Sequence, residues 1–320
     1  MIRKIAVLTS GGDAPGMNAC VRAIVKLSMK KGIDVVGINN GFSGLINDDL
    51  HLLNRSSLND ILGKGGTILG SARLPEFSDV NVQKKAIEIL KKHKIDALVV
   101  IGGDGSYRGA LALHNLGFKT VALPGTIDND IVGTDFTIGF DTALTTVVDA
   151  IDKLRDTSSS HYRCSVVEVM GNRCGDLTIY SGISCGAEIL ITNETGYDEN
   201  EIIEKLNFLA HSSKKNHAIV VISEKITDVY KLAQIISENT PFSGRATVLG
   251  HVQRGGRPTP RDRILATLMG EKAVDLLIED KSGECVCILN NNIESVSISN
   301  VLNKTKNKNK KILSLFENLV

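Results

Sequence analysis

The sequence predicts an α/β protein with two domains and mostly parallel sheets, on three observations. Short apolar runs alternate with amphipathic stretches along most of the chain, which is the pattern of strand–helix–strand units. Small-residue turns follow several of these runs, as they do where parallel strands lead into helices. At 320 residues the chain is longer than one ordinary hydrophobic core requires, so we expect two domains.

The first half of the chain contains the clearest elements. A strand at residues 5–8 leads into a glycine-containing turn at 9–16 and then a helix at 17–30. Apolar runs at 97–101 and 120–123 are short and uninterrupted, which is typical of strands buried on both faces. Further amphipathic stretches predict helices at residues 82–92, 106–116 and 141–154.

The second half continues the alternation. Apolar runs predict strands at residues 165–169, 187–191, 217–222 and 246–249, and a last long helix follows at 260–278. We expect the chain to cross from one domain to the other at 133–139 and to return at 250–260. The alternating Asn and Lys residues at 303–311 indicate a solvated connector or helix end rather than a binding patch.

The overall charge excludes several classes of function. A formal net charge of +1 gives no general attraction for nucleic acid or for a membrane surface, so we expect neither as a partner. No run approaches the roughly 18 apolar residues of a membrane span. The chain enters its first strand without the basic and apolar lead of a signal peptide, and we therefore expect a cytoplasmic protein.

Six cysteines are scattered through apolar or small-residue contexts and form no CxxC pair. The chain is also far larger than the scaffolds that disulfides hold together. We expect reduced, buried thiols and no zinc site, since the seven histidines show no HExxH pattern either.

Three small-residue turns, at 9–16, 102–106 and 124–130, carry the functional signal. Each follows a predicted strand, and parallel strands bring their carboxyl ends to one sheet edge, where open α/β sheets bind ligands. Glycines let backbone N–H groups approach phosphate, and carboxylates hold a cation or accept a proton. The turn at 9–16 lacks the Lys-Ser/Thr ending of a P-loop and the GxGxxG spacing of a dinucleotide-binding fold. Taken alone it is a weak signal, because glycines after a strand often form only a tight turn. Together the three turns predict phosphoryl transfer.

The turn at 102–106 places Asp104 between two glycines. One or two carboxylates together with substrate phosphates are enough to hold Mg²⁺. Asp104 also precedes a predicted helix, so a helix N-cap role is an equal alternative, and the two roles are compatible.

The turn at 124–130 reads Pro-Gly-Thr-Ile-Asp-Asn-Asp. Asp128 and Asp130 are two residues apart and share a face with Thr126 if the segment is extended. A carboxylate beside a second carboxylate and a cation can accept the proton of a hydroxyl that attacks phosphorus. The alternative is an Asx-type turn with no chemical role.

These residues resemble the bacterial ATP-dependent 6-phosphofructokinases. The resemblance rests on the three turns together with the runs at residues 70–73, 155–161, 169–171 and 250–256, and it covers the chain to about residue 290. It implies two Rossmann-like domains with mostly parallel sheets sandwiched by helices and an active site in the cleft between them. By this resemblance, residues 1–138 and 252–303 form a larger ATP-binding domain, and residues 139–251 and 304–320 form a smaller domain for fructose 6-phosphate.

The resemblance also implies roles for individual residues. ATP would be held by Gly12, Arg73, Leu74, Gly103, Asp104, Gly105 and Ser106, with Asp104 on Mg²⁺. Asp128 would accept the proton of the C1 hydroxyl of fructose 6-phosphate, and Thr126, Asp130 and Arg73 would position the reacting groups.

The sugar phosphate would be held by a second set of residues. This set comprises Thr126, Ile127, Asp128, Met170, Gly171, Asn172, Glu224, His251, Val252, Gln253 and Arg254. Arg163 and Arg245 would reach the sugar phosphate from a neighbouring subunit of a homotetramer, and a dianion is indeed best met by several guanidinium groups.

Two glycines indicate the phosphoryl donor. Pyrophosphate-using relatives carry Asp at the position of Gly105 and Lys at that of Gly125. An Asp side chain there would fill space and repel charge where the α-phosphate of ATP lies. The two glycines therefore predict an ATP user.

The chain departs from the family pattern at Asn172, where the family usually has an arginine that faces the transferring phosphoryl group. Arg173 lies one residue later, and we hypothesise that it partly substitutes.

The regulatory site of the family, which takes ADP as activator or phosphoenolpyruvate as inhibitor, is matched in part. The matching residues are Arg22, Arg55, Arg155, Gly186, Glu188 and Lys215, with Lys26 in place of an arginine. Arg22 and Lys26 are four apart on a helix and could converge on one phosphate, although a solvated helix face is the alternative. Because Ser213 also replaces a lysine, we expect a retained but weaker response to effectors.

Two other functions match parts of the sequence. A kinase for NAD or a lipid would share the turn at 102–106, but the runs at 124–130 and 250–256 oppose it. A catalytically inactive nucleotide sensor is motivated only by Asn172, and intact Asp104, Asp128, Arg163 and Arg254 oppose it.

Overall fold

The computed structural model describes residues 2–213, 215–304 and 310–319, without the side chains of 310 and 311. Up to residue 124 the chain forms, in order, β1 (Lys4–Ser10), α1 (Met17–Lys30), β2 (Asp34–Ile38), α2 (Gly41–Ile46), β3 (Leu50–Leu53), α3 (Val80–Lys92), β4 (Ala97–Gly102), α4 (Asp104–Asn115) and β5 (Lys119–Pro124). It continues with α5 (Phe140–Ser159), β6 (Arg163–Val169), α6 (Asp176–Cys185), β7 (Ile189–Ile191), α7 (Glu199–His211), β8 (Ala218–Ser223), α8 (Val229–Asn239) and β9 (Ser243–Val248). The last elements are α9 (Pro260–Ile278), β10 (Glu284–Leu289), β11 (Asn292–Ser297), α10 (Ile298–Leu302) and α11 (Lys310–Glu317).

The chain divides into two compact units. The first comprises Met1–Ile127, Ile131–Thr142 and Arg254–Lys306, and the second comprises Asp128–Asp130, Ala143–Gln253 and Asn307–Val320. Most of the connector predicted at residues 303–311 lies outside the described residues.

The first unit contains a seven-stranded sheet in the order β11-β10-β5-β4-β1-β2-β3. The central pairs β2–β1, β1–β4, β4–β5 and β5–β10 are parallel, whereas β3 and β11 add antiparallel edges. Val99, Val100 and Ile101 of β4 are fully buried, because side chains on both faces of a central parallel strand are covered. The predicted mostly parallel sheet is confirmed.

The second unit contains a four-stranded sheet in the order β7-β8-β6-β9, with every pair parallel. Its core is formed by strands β6, β7 and β8 packed against α7 and α8, with Val220, Ile222, Leu206 and Ile236 fully buried. The sheets of both units therefore carry loops at their carboxyl edges, the position at which sites form in α/β folds.

The helix predicted at 260–278 is confirmed as α9, and its start shows why. Thr259 accepts a hydrogen bond from the backbone N–H of Asp262 at 3.2 Å, and Pro260 follows as the first helical residue. This is the favoured order of cap and proline at a helix start.

The hairpin of β10 and β11 was not predicted. Its two-residue loop consists of Asn290 and Asn291, with φ of 50° and 66°. Asparagine tolerates this left-handed conformation, which two-residue hairpins require, so the Asn pair was an available sequence signal.

In the described part of the chain, none of the helices combines the length and the apolar character that crossing a membrane requires.

Candidate active site

The three glycine-containing turns lie at the carboxyl ends of three adjacent strands, as the sequence predicts. β1 is paired with β4 so that Ser10 is opposite Gly102, and β4 is paired with β5 so that Gly102 is opposite Pro124. The turns at 9–16, 102–106 and 124–130 consequently leave one edge of the first sheet side by side.

Hydrogen bonds join these turns to one another. The hydroxyl of Ser106 donates to the backbone oxygen of Ser10 at 3.1 Å, and the backbone N–H of Gly125 donates to the oxygen of Gly102 at 3.1 Å. A Cβ atom on Gly102 would lie 2.5 Å from the oxygen of Ser10, so only glycine fits where the turns meet.

Asp104 begins α4, and the residue that caps this helix is Gly103. The alternative of Asp104 as the N-cap is wrong, because Asp104 occupies the first helical position and its helix has no side-chain cap. Its side chain is 51% exposed and accepts a hydrogen bond from Nε of Arg108 at 2.9 Å. A carboxylate at this end of a helix also interacts favourably with the helix dipole.

The surroundings of Asp104 fit a hydrated divalent cation. No atom lies within 4 Å of the position that a Cβ on Gly105 would occupy, so the space beside the carboxylate is open. Among the described residues, no group of three or more His, Cys, Asp or Glu side chains could hold a metal ion. A single carboxylate in open space matches Mg²⁺, which keeps several waters and takes further oxygen ligands from substrate phosphates.

The backbone of the third turn is fixed on both sides of Thr126, which is buried. The N–H of Thr126 donates to the oxygen of Ile138 at 3.1 Å, and the hydroxyl of Thr137 donates to the oxygen of Thr126 at 2.6 Å. Ile127, which follows, is fully buried.

Asp128 and Asp130 flank a residue in the left-handed conformation, since Asn129 has a φ of 51°. The segment is therefore not extended, and the condition under which Thr126, Asp128 and Asp130 would alternate onto one face is not met. The Asn129 side chain donates to the buried carboxylate of Asp176, at the start of α6, at 2.8 Å. This bond sets the orientation of the peptide units that join the two half-buried aspartates.

The first turn contacts a residue that is distant in sequence. Nη1 of Arg254 lies 2.2 Å from the position that a Cβ on Gly12 would occupy, and it donates to the oxygen of Asp13 at 3.3 Å. Any side chain at residue 12 would displace this guanidinium. A residue predicted to hold the sugar phosphate thus lies beside one predicted to hold ATP.

The loop that carries Arg73 and Leu74 is attached to the first strand. The hydroxyl of Thr9 donates to the oxygen of Gly70 at 2.7 Å, three residues before Arg73. Arg73 is exposed, and Leu74 is half-buried against the core of the first unit.

In the second unit, one group of predicted substrate residues meets at the carboxyl edge of the sheet. The N–H of Met170 donates to the side chain of Gln253 at 3.1 Å. The N–H of Asn172 donates to Oε1 of Glu224 at 2.8 Å. Gly171, between them, has a φ of 143°, and a Cβ there would lie 2.4 Å from the oxygen of Cys174. His251 and Val252 are exposed beside Gln253.

Arg163 is not part of this group. It is the first residue of β6, whereas Met170 follows the last, and a seven-residue strand separates such ends by roughly 20 Å. Arg245 lies in β9 opposite Ser165 and is exposed. Within one chain, these two arginines are therefore displaced from the carboxyl edge at which Met170 and Glu224 lie.

The predicted effector residues fall into two sets. Arg22 and Lys26 lie on α1, and Arg55 follows β3, all in the first unit. In the second unit, Arg155 donates to the oxygens of Cys185 and Gly186.

Lys215 donates to Glu188 at 2.7 Å, and Glu188 also accepts the N–H of Ile219 at 2.7 Å. The side chain of Glu188 is only 3% exposed. Glu188 therefore holds Lys215 at a fixed position close to the strand β8.

Four residues that the structure brings to these groups were not predicted from the sequence. They are Arg108, Asp176, His217 and Lys225, which contact Asp104, Asn129, Arg155 and Asn172 respectively. The spacing of four between Asp104 and Arg108 in a predicted helix was a usable signal. The other three pairs are separated by 47 to 62 residues and have no local signature.

The chain is similar to known proteins over most of its length. A family model described as phosphofructokinase matches residues 4–277. An ATP-dependent 6-phosphofructokinase of Aliivibrio fischeri is 57% identical over 290 residues, which are 91% of this chain and 90% of the relative. The corresponding protein of Haemophilus influenzae is 54% identical over 304 residues, 95% of this chain and 94% of the relative.

A solved structure agrees in fold. The crystal structure of Pichia pastoris phosphofructokinase superposes with a TM-score of 0.90 at 33% identity over 100% of this chain. The chain spans 37% of the length of that yeast protein.

Proposed function

This chain belongs to the phosphofructokinase family, and on that premise we propose that it is an ATP-dependent 6-phosphofructokinase. It transfers the γ-phosphoryl group of ATP to the C1 hydroxyl of D-fructose 6-phosphate, which gives D-fructose 1,6-bisphosphate and ADP, a step of glycolysis. The observation that carries this function is the joined set of three turns at one sheet edge, which places Asp104 and open glycine backbone at the carboxyl ends of adjacent parallel strands. The similarity to the Haemophilus influenzae and Pichia pastoris enzymes supports the same reaction class.

We assign ATP to the first unit and the sugar phosphate mainly to the second. Residues 1–138 and 252–303 would form the ATP-binding domain, and residues 139–251 and 304–320 the sugar domain. Gly12, Gly103, Gly105 and Ser106 are assigned to the donor phosphates, and the space beside Gly105 is open for them. The ATP set is completed by Arg73 and Leu74.

Asp128 is the proposed base. Its carboxylate accepts the proton of the C1 hydroxyl as that oxygen attacks the γ-phosphorus in line with the departing ADP oxygen. Thr126 and Asp130 orient the hydroxyl and the transferring group, and Arg73 stabilises the negative charge that spreads over the phosphoryl oxygens. Catalysis is then mainly positioning and charge neutralisation.

Asp104 would hold Mg²⁺, which when bound neutralises charge on the donor phosphates. Arg108 donates a hydrogen bond to the Asp104 carboxylate and so competes with a cation for its negative charge.

The sugar phosphate is assigned to the residues at the carboxyl edge of the second sheet. Met170, Gly171, Asn172 and Glu224 meet there, with His251, Val252, Gln253 and Arg254 in the following segment. Arg163 and Arg245 lie away from this edge in one chain, which supports their contribution by a neighbouring subunit of a homotetramer. Thr126 and Ile127 complete the set.

We further propose allosteric control by ADP and phosphoenolpyruvate at Arg22, Lys26, Arg55, Arg155, Gly186, Glu188 and Lys215. These ligands share an anionic phosphate, and all but Gly186 and Glu188 in this set are cationic. The response is weaker than is usual in the family, because a lysine at residue 26 offers a single point charge where a guanidinium would offer a planar fork.

One coupled assay tests the reaction. Purified protein is supplied with fructose 6-phosphate, Mg²⁺ and either ATP or pyrophosphate, and the Asp128→Ser variant is assayed beside it. We expect turnover with ATP, little with pyrophosphate, and a loss of at least about a hundredfold in kcat for Asp128→Ser. No turnover with either donor would overturn the proposed function.

A further inference from the structure

Two loops at the carboxyl edge of the second sheet are joined through Asn172 and Lys225. The N–H of Asn172 donates to Oε1 of Glu224 at 2.8 Å, and Nζ of Lys225 donates to Oδ1 of Asn172 at 3.1 Å. The loop after β6 and the loop after β8 are thereby linked twice, through adjacent residues of each. Asn172 and Glu224 are both in the proposed sugar-phosphate set, whereas Lys225 has no assigned role.

Both residues of this link have a backbone conformation that is unfavourable for a non-glycine residue. The φ of Asn172 is 57° and that of Lys225 is 67°. Asparagine tolerates this region, but a lysine in it costs roughly 1 kcal/mol or more. Such conformations persist where surrounding contacts enforce them, and they concentrate at functional sites. The conformation of Lys225 turns its side chain back onto Asn172 of the neighbouring loop.

Several carboxylates lie close to this link, so a phosphorylated substrate there requires a nearby cation. Burial, and then the nearby carboxylates of Glu224 and Asp228, raise the pKa of Glu168 above its usual value. Asn172 is neutral, so it supplies no countercharge for a phosphorylated substrate at this edge. Lys225 is exposed at this position.

The ammonium of Lys225 has N–H donors that are not used by the described residues. It carries three N–H donors and uses one of them on Asn172, so two remain for a ligand. Arg173, the residue hypothesised from the sequence, is exposed and forms no hydrogen bond or ion pair with the described residues. Among those residues, Arg173 therefore has no polar contact that would hold it near Met170 and Glu224, whereas Lys225 is hydrogen-bonded to Asn172 of that group.

We propose that Lys225 is a catalytic residue that donates hydrogen bonds to the phosphoryl group as it is transferred to the sugar, with Asn172 as its positioning residue. The inference rests on the proposed function and names one more charge in the same site. The ammonium of Lys225, held by the side-chain amide of Asn172, takes the place of the guanidinium that an arginine at residue 172 would supply. The chemistry of the transfer is unchanged, because Lys225 neutralises charge and exchanges no proton or bond.

Substitution of Lys225 tests the proposal through kcat. In Lys225→Met the side-chain length is kept and the charge is lost, and we expect kcat to fall by about tenfold or more with KM for fructose 6-phosphate within about twofold. Lys225→Arg should retain most of kcat. The matched control is Lys231→Met, an exposed lysine of α8, which should leave both constants unchanged.

A rescue experiment separates charge from structure. The double variant Asn172→Arg with Lys225→Met returns a cation to this link, and we expect it to recover most of the kcat lost in Lys225→Met. A structural role would instead lower the thermal midpoint of Lys225→Met, and the second substitution would not restore activity. Failure of the double variant to recover kcat, with both proteins folded, overturns the proposal.

Ligand binding provides a readout that does not depend on turnover. Fructose 1,6-bisphosphate carries the transferred phosphoryl group and fructose 6-phosphate lacks it. Calorimetric titration should show that Lys225→Met weakens binding of the bisphosphate about tenfold while binding of fructose 6-phosphate is unchanged. Equal weakening of both ligands would place Lys225 on the sugar or its 6-phosphate and overturn the proposal. Absence of turnover in the wild type would instead overturn the proposed function itself.

Discussion

Nε of Arg108 lies 2.9 Å from Oδ2 of Asp104, one helical turn earlier on α4. The proposed ligand of Mg²⁺ is thus already paired with a cation of its own helix. Both side chains are more than half exposed, so the pair is weak and can rearrange when a metal binds.

Arg108→Met should therefore make Mg²⁺ more effective. Loss of this exposed ion pair removes a competing interaction of roughly 0.2–1 kcal/mol, which predicts a fall of about 1.4- to fivefold in the Mg²⁺ concentration for half-maximal activity. Titration of activity against Mg²⁺ at fixed ATP measures it. An unchanged midpoint would show that Arg108 does not compete for Asp104.

Gly105 should determine the phosphoryl donor through charge. No atom lies within 4 Å of a Cβ at this position, so Gly105→Asp fits the fold while placing a carboxylate beside the donor phosphates. We expect kcat/KM for ATP to fall at least about tenfold with an unchanged thermal midpoint. Gly105→Asn is the isosteric neutral control. If both variants lose the same activity, space and not charge is responsible.

Gly125 differs from Gly105 in this respect. A Cβ on Gly125 would lie 2.8 Å from Cγ2 of Ile101 and 3.0 Å from Cε of Met17, so a larger residue there disturbs the core. Packing already explains the glycine at 125, so the donor prediction rests on the glycine at 105.

Mixed oligomers should reveal a site shared between chains. Arg163 and Met170 lie at opposite ends of β6, and on the proposed assignment the Arg163 of one chain contributes to the site that contains the Asp128 of another. Asp128→Ser and Arg163→Ser are each expected to be almost inactive. Co-expressed in equal amounts, they should recover about a quarter of wild-type activity, since one site in four is then intact. Recovery absent from tetramers of verified mixed composition would contradict the sharing.

Lys215 should matter for both stability and regulation. Among the described residues, Lys215→Met leaves the buried carboxylate of Glu188 with the N–H of Ile219 as its one remaining hydrogen-bond donor. We expect a loss of about 1–3 kcal/mol in unfolding free energy and a loss of activation by ADP. Lys205→Met, which breaks the exposed pair with Glu201, is the control and should change stability by less than about 0.5 kcal/mol. Full ADP activation in Lys215→Met would exclude this lysine from the effector site.

Asp262 should make the fold less stable as the pH rises. Its buried carboxylate accepts bonds from the N–H of Gly139 at 2.9 Å and from the N–H and hydroxyl of Thr142 at 2.8 and 2.6 Å. Burial outweighs these bonds and raises the pKa of Asp262 to about 6 from 3.8. Because the folded state holds the proton more tightly than the unfolded state, the stabilisation is complete below pH 3.8 and is lost as the pH rises through 6.

The loss between these limits is about 3 kcal/mol per chain. Urea unfolding at several pH values between 4 and 8 should show this decline in the wild type and a flatter profile in Asp262→Asn, which does not titrate. Parallel profiles for the two proteins would show that Asp262 is ionised without penalty in the fold.

The sequence by itself determined many of the elements and the local chemistry of the turns. Apolar runs without interruption marked β1, β4 and β5, because a strand buried on both faces has no polar side, and the glycines and carboxylates after them marked the turns. The helix α9 was predicted with its bounds because threonine and proline fix a helix start locally. The short strands β2 and β3 were missed, and the strand predicted at 187–191 is longer than β7, since three to five residues carry little periodicity.

Only the tertiary structure decided which residues far apart in the sequence come into contact at the site. Arg254 meets Gly12, Asp176 meets Asn129, and Lys225 meets Asn172 across separations that leave no periodic trace. The left-handed Asn129 also breaks the alternation on which the shared face of Asp128 and Asp130 depended. Periodicity reports which face a residue takes within one element, whereas these contacts depend on how elements pack, and packing is set by the whole core at once.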